Sequence, residues 1–375
     1  MPIDDSGTWN SLVSAPITMA ALASSAASFT QILMLVANVT PDGGTIASYT
    51  TLEEVVDDTA NLSTVAIAMA TALFAQAAKN ANGVVPTKVY IQGVNVVGSQ
   101  TYVQALADAV ASGADFFGII ADVRTPADQI LIATQVETYA ASAAYYLFIT
   151  QDDDADWKTT GIPAAWSAVT GYEWTAIAFH DDNDNDASSA RLDCALMGNR
   201  MGWDPDVQSA AWNCDVAGVA ALTTPLTSAQ KGFLVANYAS AALTFFDADF
   251  WVHAAKTLAG RPIEHVVTAV WIRRRMQEAG AAALAAASAR GEKIAVDPEG
   301  QGILRSVFEG VAIRAVRAKH LTTTDATKPP YRIRSLSISA ADITGQTLRF
   351  TFEAQFASGV RSMSIPVNLS PYALS

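Results

Sequence analysis

The chain has 375 residues, 51% of them apolar and 16% charged, enough for two domains or one large one around a sizeable core. It contains no run of eighteen uninterrupted apolar residues, its start MPIDDSGTWNS is acidic where a secretory signal is basic, and its cysteines are only Cys194 and Cys214; this argues against membrane insertion, signal-led export and a disulfide-stapled fold, and is compatible with a reducing cytosol. The net charge of −13 is split unevenly, with 7 Lys+Arg against 27 Asp+Glu up to residue 255 (net −20) and 16 against 9 from 256 onward (net +7).

In chain order, LVSAPITMAAL (12–22) alternates weakly, with Val13, Ala15, Ile17 and Met19 against Ser14, Pro16, Thr18 and Ala20. Pro16 has no amide donor, so a short or edge strand is predicted. FTQILMLVAN (29–38), closed by TPDGG, reads as a strand buried on both faces. SYTTLEEVVDD opens a helix with Thr50 or Thr51 as cap and Glu53 and Glu54 in its first turn, and a second helix runs through 64–80 before Gly83 and Pro86.

The pattern then repeats: strand 87–94, helix 99–112, strand 115–123, helix 125–142, strand 145–152 and strand 173–181. Thr125, Pro126 and Asp128 supply a cap, a first-turn proline and a dipole-matched acid. Alternating strands and helices predict an α/β fold with an open, largely parallel sheet and flanking helices on both faces.

From about 187 the texture changes to a small helix, a loop holding Trp203 and Trp212, and SAQKGFLVANYASAALTFF. A C-terminal α+β region follows, with a long helix over 262–290 softly interrupted by Gly280, a VDPEGQGI turn, a helix over 304–320, a linker TTTDATKPP, and a hairpin of 331–339 and 347–357 across AADITGQ. In the second hairpin strand Leu348, Phe350, Phe352, Ala354 and Phe356 alternate with Arg349, Thr351, Glu353 and Gln355, one face buried and one wet. Met363, Ile365, Val367 and Leu369 then alternate once more close to the carboxyl terminus. That last strand has no predicted partner left inside the chain.

Motifs for chemistry are scarce. Neither the phosphate-cradling Gly-Lys-Ser/Thr loop nor GxGxxG occurs, and PDGGT and QGVNVVG read as turns. There is no GxSxG elbow, and His180, His253, His265 and His320 have no zinc-type spacing. His180 ends a strand, where α/β enzymes often place catalytic groups, yet a plain polar loop residue is the better reading. In HDDNDNDASSARLD, Asp182, Asp184, Asp186 and Asp193 echo a calcium loop, but Ala187 stands where the sharp turn needs Gly and the twelfth place is a short Asp. A solvated acidic loop capping the next helix is expected instead. Trp203 and Trp212 read as loop anchors whose N–H groups find carbonyls. Arg273, Arg274 and Arg275 diverge by about 100° on a helix, so a solvated or partner-facing side is expected rather than a phosphate clamp. The basic third lacks interleaved stacking aromatics, which favours an acidic protein partner over nucleic acid. No catalytic residue, cofactor or metal is predicted.

Several stretches in order, ITMAALASSAASFTQILMLVAN, SYTTLEEV, VPTKVYIQG, DFFGIIADVRTPADQILIATQVETYAASAAYYLFITQDD, AIAFHDD with MGNRMG, and the VDPEGQGI turn before the terminal hairpin, resemble the contractile tail sheath proteins of bacteriophages, in their compact branch. The spacing around 198–218 follows that family only loosely, and no added outer domain is present. The resemblance implies a structural subunit rather than an enzyme. It would form hexameric rings stacked around a tail tube, assembled in the host cytoplasm and part of the virion tail. Its partners would be its own copies, the tube protein, and baseplate and tail terminator proteins, with no direct nucleic acid and no membrane insertion.

It also implies a division into an N-terminal arm (1–22), an α/β domain (23–186), a loop-rich connecting region (187–261), a tube-facing α+β domain (262–359) and a C-terminal arm (360–375). Both arms would donate strands to neighbours, through Val13, Ile17 and Met19 at one end and Met363, Ile365, Val367 and Leu369 at the other. Arg273, Arg274, Arg314, Arg317 and Lys319 are the tube-facing basic candidates. The rival readings are a soluble α/β enzyme with an unrecognised site, or another self-assembling virion protein.

Overall fold

The computed structural model describes residues 29–357, apart from 38, 40–45, 81–82, 143, 182–190, 221, 223, 246–248, 254, 324–326 and 328. Val13, Ile17, Met19, Met363, Ile365, Val367, Leu369 and the acidic stretch Asp182–Asp186 lie outside the described residues.

The first half delivers the predicted alternation. β1 (Gln31–Ala37) is followed by β2 (Ala47–Tyr49), α1 (Leu52–Asp57), α2 (Thr64–Phe74), β3 (Lys88–Val94), α3 (Tyr102–Ala111), β4 (Gly118–Ala121), α4 (Pro126–Ala141), β5 (Leu147–Asp152), α5 (Asp156–Thr159) and β6 (Thr175–Phe179). Local chemistry sets the helix starts. Thr51 forms a capping box with Glu54, Ser63 caps α2, and Thr101 forms a second box with Gln104. At α4 the expected cap differs, since the Thr125 hydroxyl donates to Asp128 at 2.7 Å instead of accepting a backbone amide.

The sheet has eight strands in the order β2-β3-β1-β4-β5-β6-β7-β8, where β7 is Ala239–Phe245 and β8 is Asp249–His253. The six inner strands are parallel and the two outer ones antiparallel. This moves the predicted boundary at 186. The region 187–261 is not a loop-rich connector, because α6 (Leu192–Met201) is buried along nearly its whole length, α7 (Ser228–Ala236) follows, and β7 pairs parallel with β6. The small residues of ASAALTF hide the strand from any alternation test.

Helices cover both faces. On β1, Ile32, Met34 and Val36 pack with Met69 and Leu73 of α2 and Leu196 of α6, while Leu33 and Leu35 pack with Leu106 of α3 and Ile132 of α4. Burial on both sides explains why β1 reads as a continuous apolar run.

The C-terminal unit comprises α8 (Ile263–Ala289), α9 (Pro298–Arg317), β9 (Tyr331–Ser335), α10 (Ala340–Thr344) and β10 (Phe350–Ala354). Gly280 does not interrupt α8; a Cβ there would lie 3.3 Å from the Phe308 ring of α9, so the glycine serves close helix packing. The expected turn between β9 and β10 holds α10, whose Ser339–Asp342 capping box is tied to Arg349 at 2.7 Å.

The α2–α6 contact gives a direct test. A Cβ on Gly198 would sit 2.8 Å from Leu73 Cα, whereas Gly310 on the outer side of α9 has open space. Gly198→Ala is expected to destabilise the chain by about 1–3 kcal/mol through overpacking, and Gly310→Ala to stabilise it by about 0.5–1 kcal/mol through helix propensity. Urea midpoints that fail to move in opposite directions would contradict this packing.

Candidate assembly interface

An α/β sheet offers a ligand site where its strand order reverses, here over the carboxyl ends of β1 and β4. That crevice is filled by the chain itself. Asp122, 2% exposed, accepts from Ala37 N at 2.9 Å and from the Tyr102 hydroxyl at 2.5 Å. Arg124 pairs with the fully buried Asp193 of α6 at 2.8 Å. Gln151 Oε1 accepts from Leu192 N at 2.8 Å, and Gln129 donates to Val123 O and Gln151 O. Asp152 accepts both indole N–H groups of Trp157 and Trp166, at 2.9 and 2.6 Å. Burial pushes the Asp122 and Asp152 carboxyls above the usual range. His180 is buried and donates from Nε2 to Ala220 O at 2.9 Å, so it fixes a loop. Asp193, proposed in sequence as the twelfth place of an acidic loop, is thus an internal ion-pair partner. Burial also raises the Cys194 and Cys214 thiols, leaving both in their unreactive form. Among the described residues no group of His, Cys, Asp and Glu could hold a metal.

The hairpin is different, being satisfied on one face and, among the described residues, unpaired along its outer margins. Ile333, Phe352 and Ala354 are buried, with Phe350 edge-on to Phe308 of α9 at 5.1 Å. Arg332, Arg334 and Glu353 lie on the opposite face, as the alternation predicts. Leu336 N donates to Arg349 O at 3.0 Å and Gln355 N to Pro330 O at 2.9 Å, bracketing the ladder. With hydrogen-bonded pairs alternating, Tyr331, Ile333 and Ser335 aim their backbone groups at one margin and Phe350, Phe352 and Ala354 at the other. Among the described residues no further strand pairs with either margin of this two-stranded sheet. A cavity of about 600 Å³ runs beside β9, lined by Arg305, Glu309, Tyr331, Arg332, Ile333 and Arg334.

The basic candidates separate into two groups. Arg273 stacks 4.9 Å above the Tyr145 ring and donates to its hydroxyl, and Arg274 lies 5.3 Å from the Phe29 ring and donates to Tyr145 O at 3.2 Å. Burial lowers the Arg274 pKa. Arg275 binds the Asp206 carboxylate through two nitrogens and reaches Glu278 at 2.6 Å. Arg273 and Arg274 are half-buried and Arg275 is buried, and these guanidiniums join α8 to other parts of their own chain. Arg314, Arg317 and Lys319 are exposed, and Ile303 and Ile313 of α9 are exposed too. Trp212 is buried as a loop anchor, while the Trp203 indole N–H meets no carbonyl among the described residues.

Sequence spacing could not have found the internal plug, because Asp122, Arg124 and Asp193 are joined only by the tertiary fold. Arg124→Ala strands the Asp193 carboxylate in the interior and is expected to cost about 3–5 kcal/mol. The paired change Arg124→Met with Asp193→Leu should recover most of that loss in urea denaturation; an unchanged midpoint for Arg124→Ala alone would contradict the pairing.

No family model matches the sequence, and no curated protein matches it. Solved structures do. A protein of the anti-feeding prophage baseplate gives a TM-score of 0.64 at 15% identity, covering 94% of this chain and 97% of that one. The helical sheath of the anti-feeding prophage in its contracted state gives 0.65 at 13% identity, covering 92% and 94%. The sheath tail protein of Listeria innocua gives 0.55 at 10% identity, covering 87% and 94%. Among the described residues no helix is long and apolar enough to cross a membrane. Taken with the α/β body and its appended open hairpin, these likenesses show that the chain has the fold of contractile tail sheath proteins.

Proposed function

We propose that the chain is the structural subunit of a contractile tail sheath, polymerising as stacked hexameric rings around a tail tube and contracting to drive that tube through a host envelope. The observation that carries this reading is the hairpin, packed on α9 through one face and, among the described residues, joined by no further strand along either margin. An incoming extended segment there would find main-chain partners for direction and alternate pockets for fit. The chain holds two suitable segments, around Val13, Ile17 and Met19 and around Met363, Ile365, Val367 and Leu369. Each would serve a neighbouring copy.

Exposed Arg314, Arg317 and Lys319 would supply the positive surface for an acidic tube, and the acidic α/β half, within residues 1–255 of net charge −20, would face outward. Baseplate and tail terminator proteins would meet the two ends of the sheath, in a tail particle assembled in the host cytoplasm. The filled crevice supports a structural role over catalysis.

Deleting residues 360–375 is expected to leave a folded, unassembled subunit, read by circular dichroism and size-exclusion chromatography, where the full chain forms striated cylinders in negative stain. Full-length-like cylinders from the truncated chain would overturn the reading.

A further inference from the structure

His320 stands where the end of α9, the middle of α8 and the turn at 204–206 meet. Its side chain is 2% exposed. Nε2 lies 2.7 Å from Pro205 O, which can only accept, so Nε2 carries the proton; Nδ1, 2.8 Å from Thr268 Oγ1, accepts from that hydroxyl. The ring stacks on Trp271 at 4.7 Å and 19°, and Trp271 Nε1 donates at 3.2 Å to Asp206, the carboxylate that also holds Arg275. Three separate segments are thereby fastened to one imidazole.

The main chain at this point has a second task. α9 ends in a left-handed turn in which Lys319 has φ +61°, His320 N donates to Ala315 O at 2.9 Å and Lys319 N donates to Val316 O at 3.0 Å. Glycine usually fills that position, so the lysine backbone is strained and must be held by its surroundings. Immediately beyond, Ala357 N donates to His320 O at 2.9 Å, Thr322 N donates to Gln355 O at 3.1 Å, and Phe356 lies against the His265 ring at 5.4 Å. Ala357 is the residue from which the C-terminal segment 358–375 continues.

We propose that His320 is the positioning residue of the C-terminal arm, its side chain pinning the corner after α9 to the subunit body while its carbonyl fixes Ala357, and that acid releases this pin. The inference rests on reading 360–375 as a donated strand, and adds to it a control over the direction in which that strand leaves.

The pH sense follows from the groups around the ring. Burial lowers the His320 pKa below its usual 6.5, opposed by the Pro205 bond and by Asp206. The turn contributes Asp206; α8 contributes Arg275, which pairs with both Asp206 and Glu278, and His265, which lies against Phe356; the end of α9 contributes exposed Arg317 and Lys319; and residues 355–357 contribute no charge. Because the folded pKa is depressed, the stabilisation is complete above about 6.5 and is lost as the pH falls through the folded value.

Hydrogen exchange on the unassembled full-length chain, corrected for intrinsic rates, tests this. In the native protein the Ala357 and Thr322 amides are expected to exchange roughly tenfold faster at pH 5 than at pH 7.5, with β1 and β4 unchanged, a tenfold change being about 1.4 kcal/mol of local stability. His320→Ala should show the fast rate at both pH values. His320→Gln, which keeps an N–H aimed at Pro205 O, should restore slow exchange at both and abolish the pH response. Native-like protection in His320→Ala, or an unchanged pH response in His320→Gln, overturns the proposal; should His320→Ala fail to fold, the native and His320→Gln pH series decide. Because assembly is not measured, a failed truncation test would remove the donated strand without altering this outcome, and the reverse also holds.

Discussion

Main-chain hydrogen bonding at the margins of a two-stranded sheet is the constraint from which the rest follows. The β9–β10 hairpin buries Ile333, Phe352 and Ala354 against α9, so its side chains are provided for while six residues point backbone donors and acceptors away from the ladder. An isolated two-stranded ribbon is marginal in water, and gains stability when further strands or a helix cover it. α9 supplies the helix. Among the described residues no further strand joins it, and in the proposed function that place falls to an alternating segment such as that around Met363, Ile365, Val367 and Leu369.

The body of the subunit works in the opposite sense, by being closed. Its eight-stranded sheet is covered on both faces, and the crevice that would admit a ligand is occupied by Asp122, Arg124 and Asp193, each held by partners within the chain. Arg273, Arg274 and Arg275 bind α8 to that body through Tyr145, Phe29 and Asp206. These contacts tie α8 and the sheet together within one chain. The anti-feeding prophage sheath, solved in a contracted state, shares this fold.

Much of the body was legible from side-chain pattern. The continuous run of β1, the Thr51–Glu54 box and the alternation of Phe350, Phe352 and Ala354 each report a local physical requirement, and each appears in the structure. β7 was not legible, since small residues carry no alternation and its place depends on pairing with β6. The direction of Arg273 and Arg274 escaped too. Helical periodicity says that neighbouring side chains diverge but not which of them meets another domain. The corner at Lys319 adopts a glycine-type conformation without a glycine, so no sequence signal marks it. The hairpin itself was legible from alternation, whereas which of its residues turn backbone groups outward is set by register and required coordinates.

The central claim is that the hairpin is completed by another copy of the chain. A cryo-electron microscopy reconstruction of the assembled protein tests it most directly, by tracing whatever lies beside Tyr331–Ser335 and Phe350–Ala354. The account predicts an added strand on at least one of these margins whose density connects to a different subunit. Bare margins in an intact cylinder, or margins covered by the subunit's own termini, would contradict it.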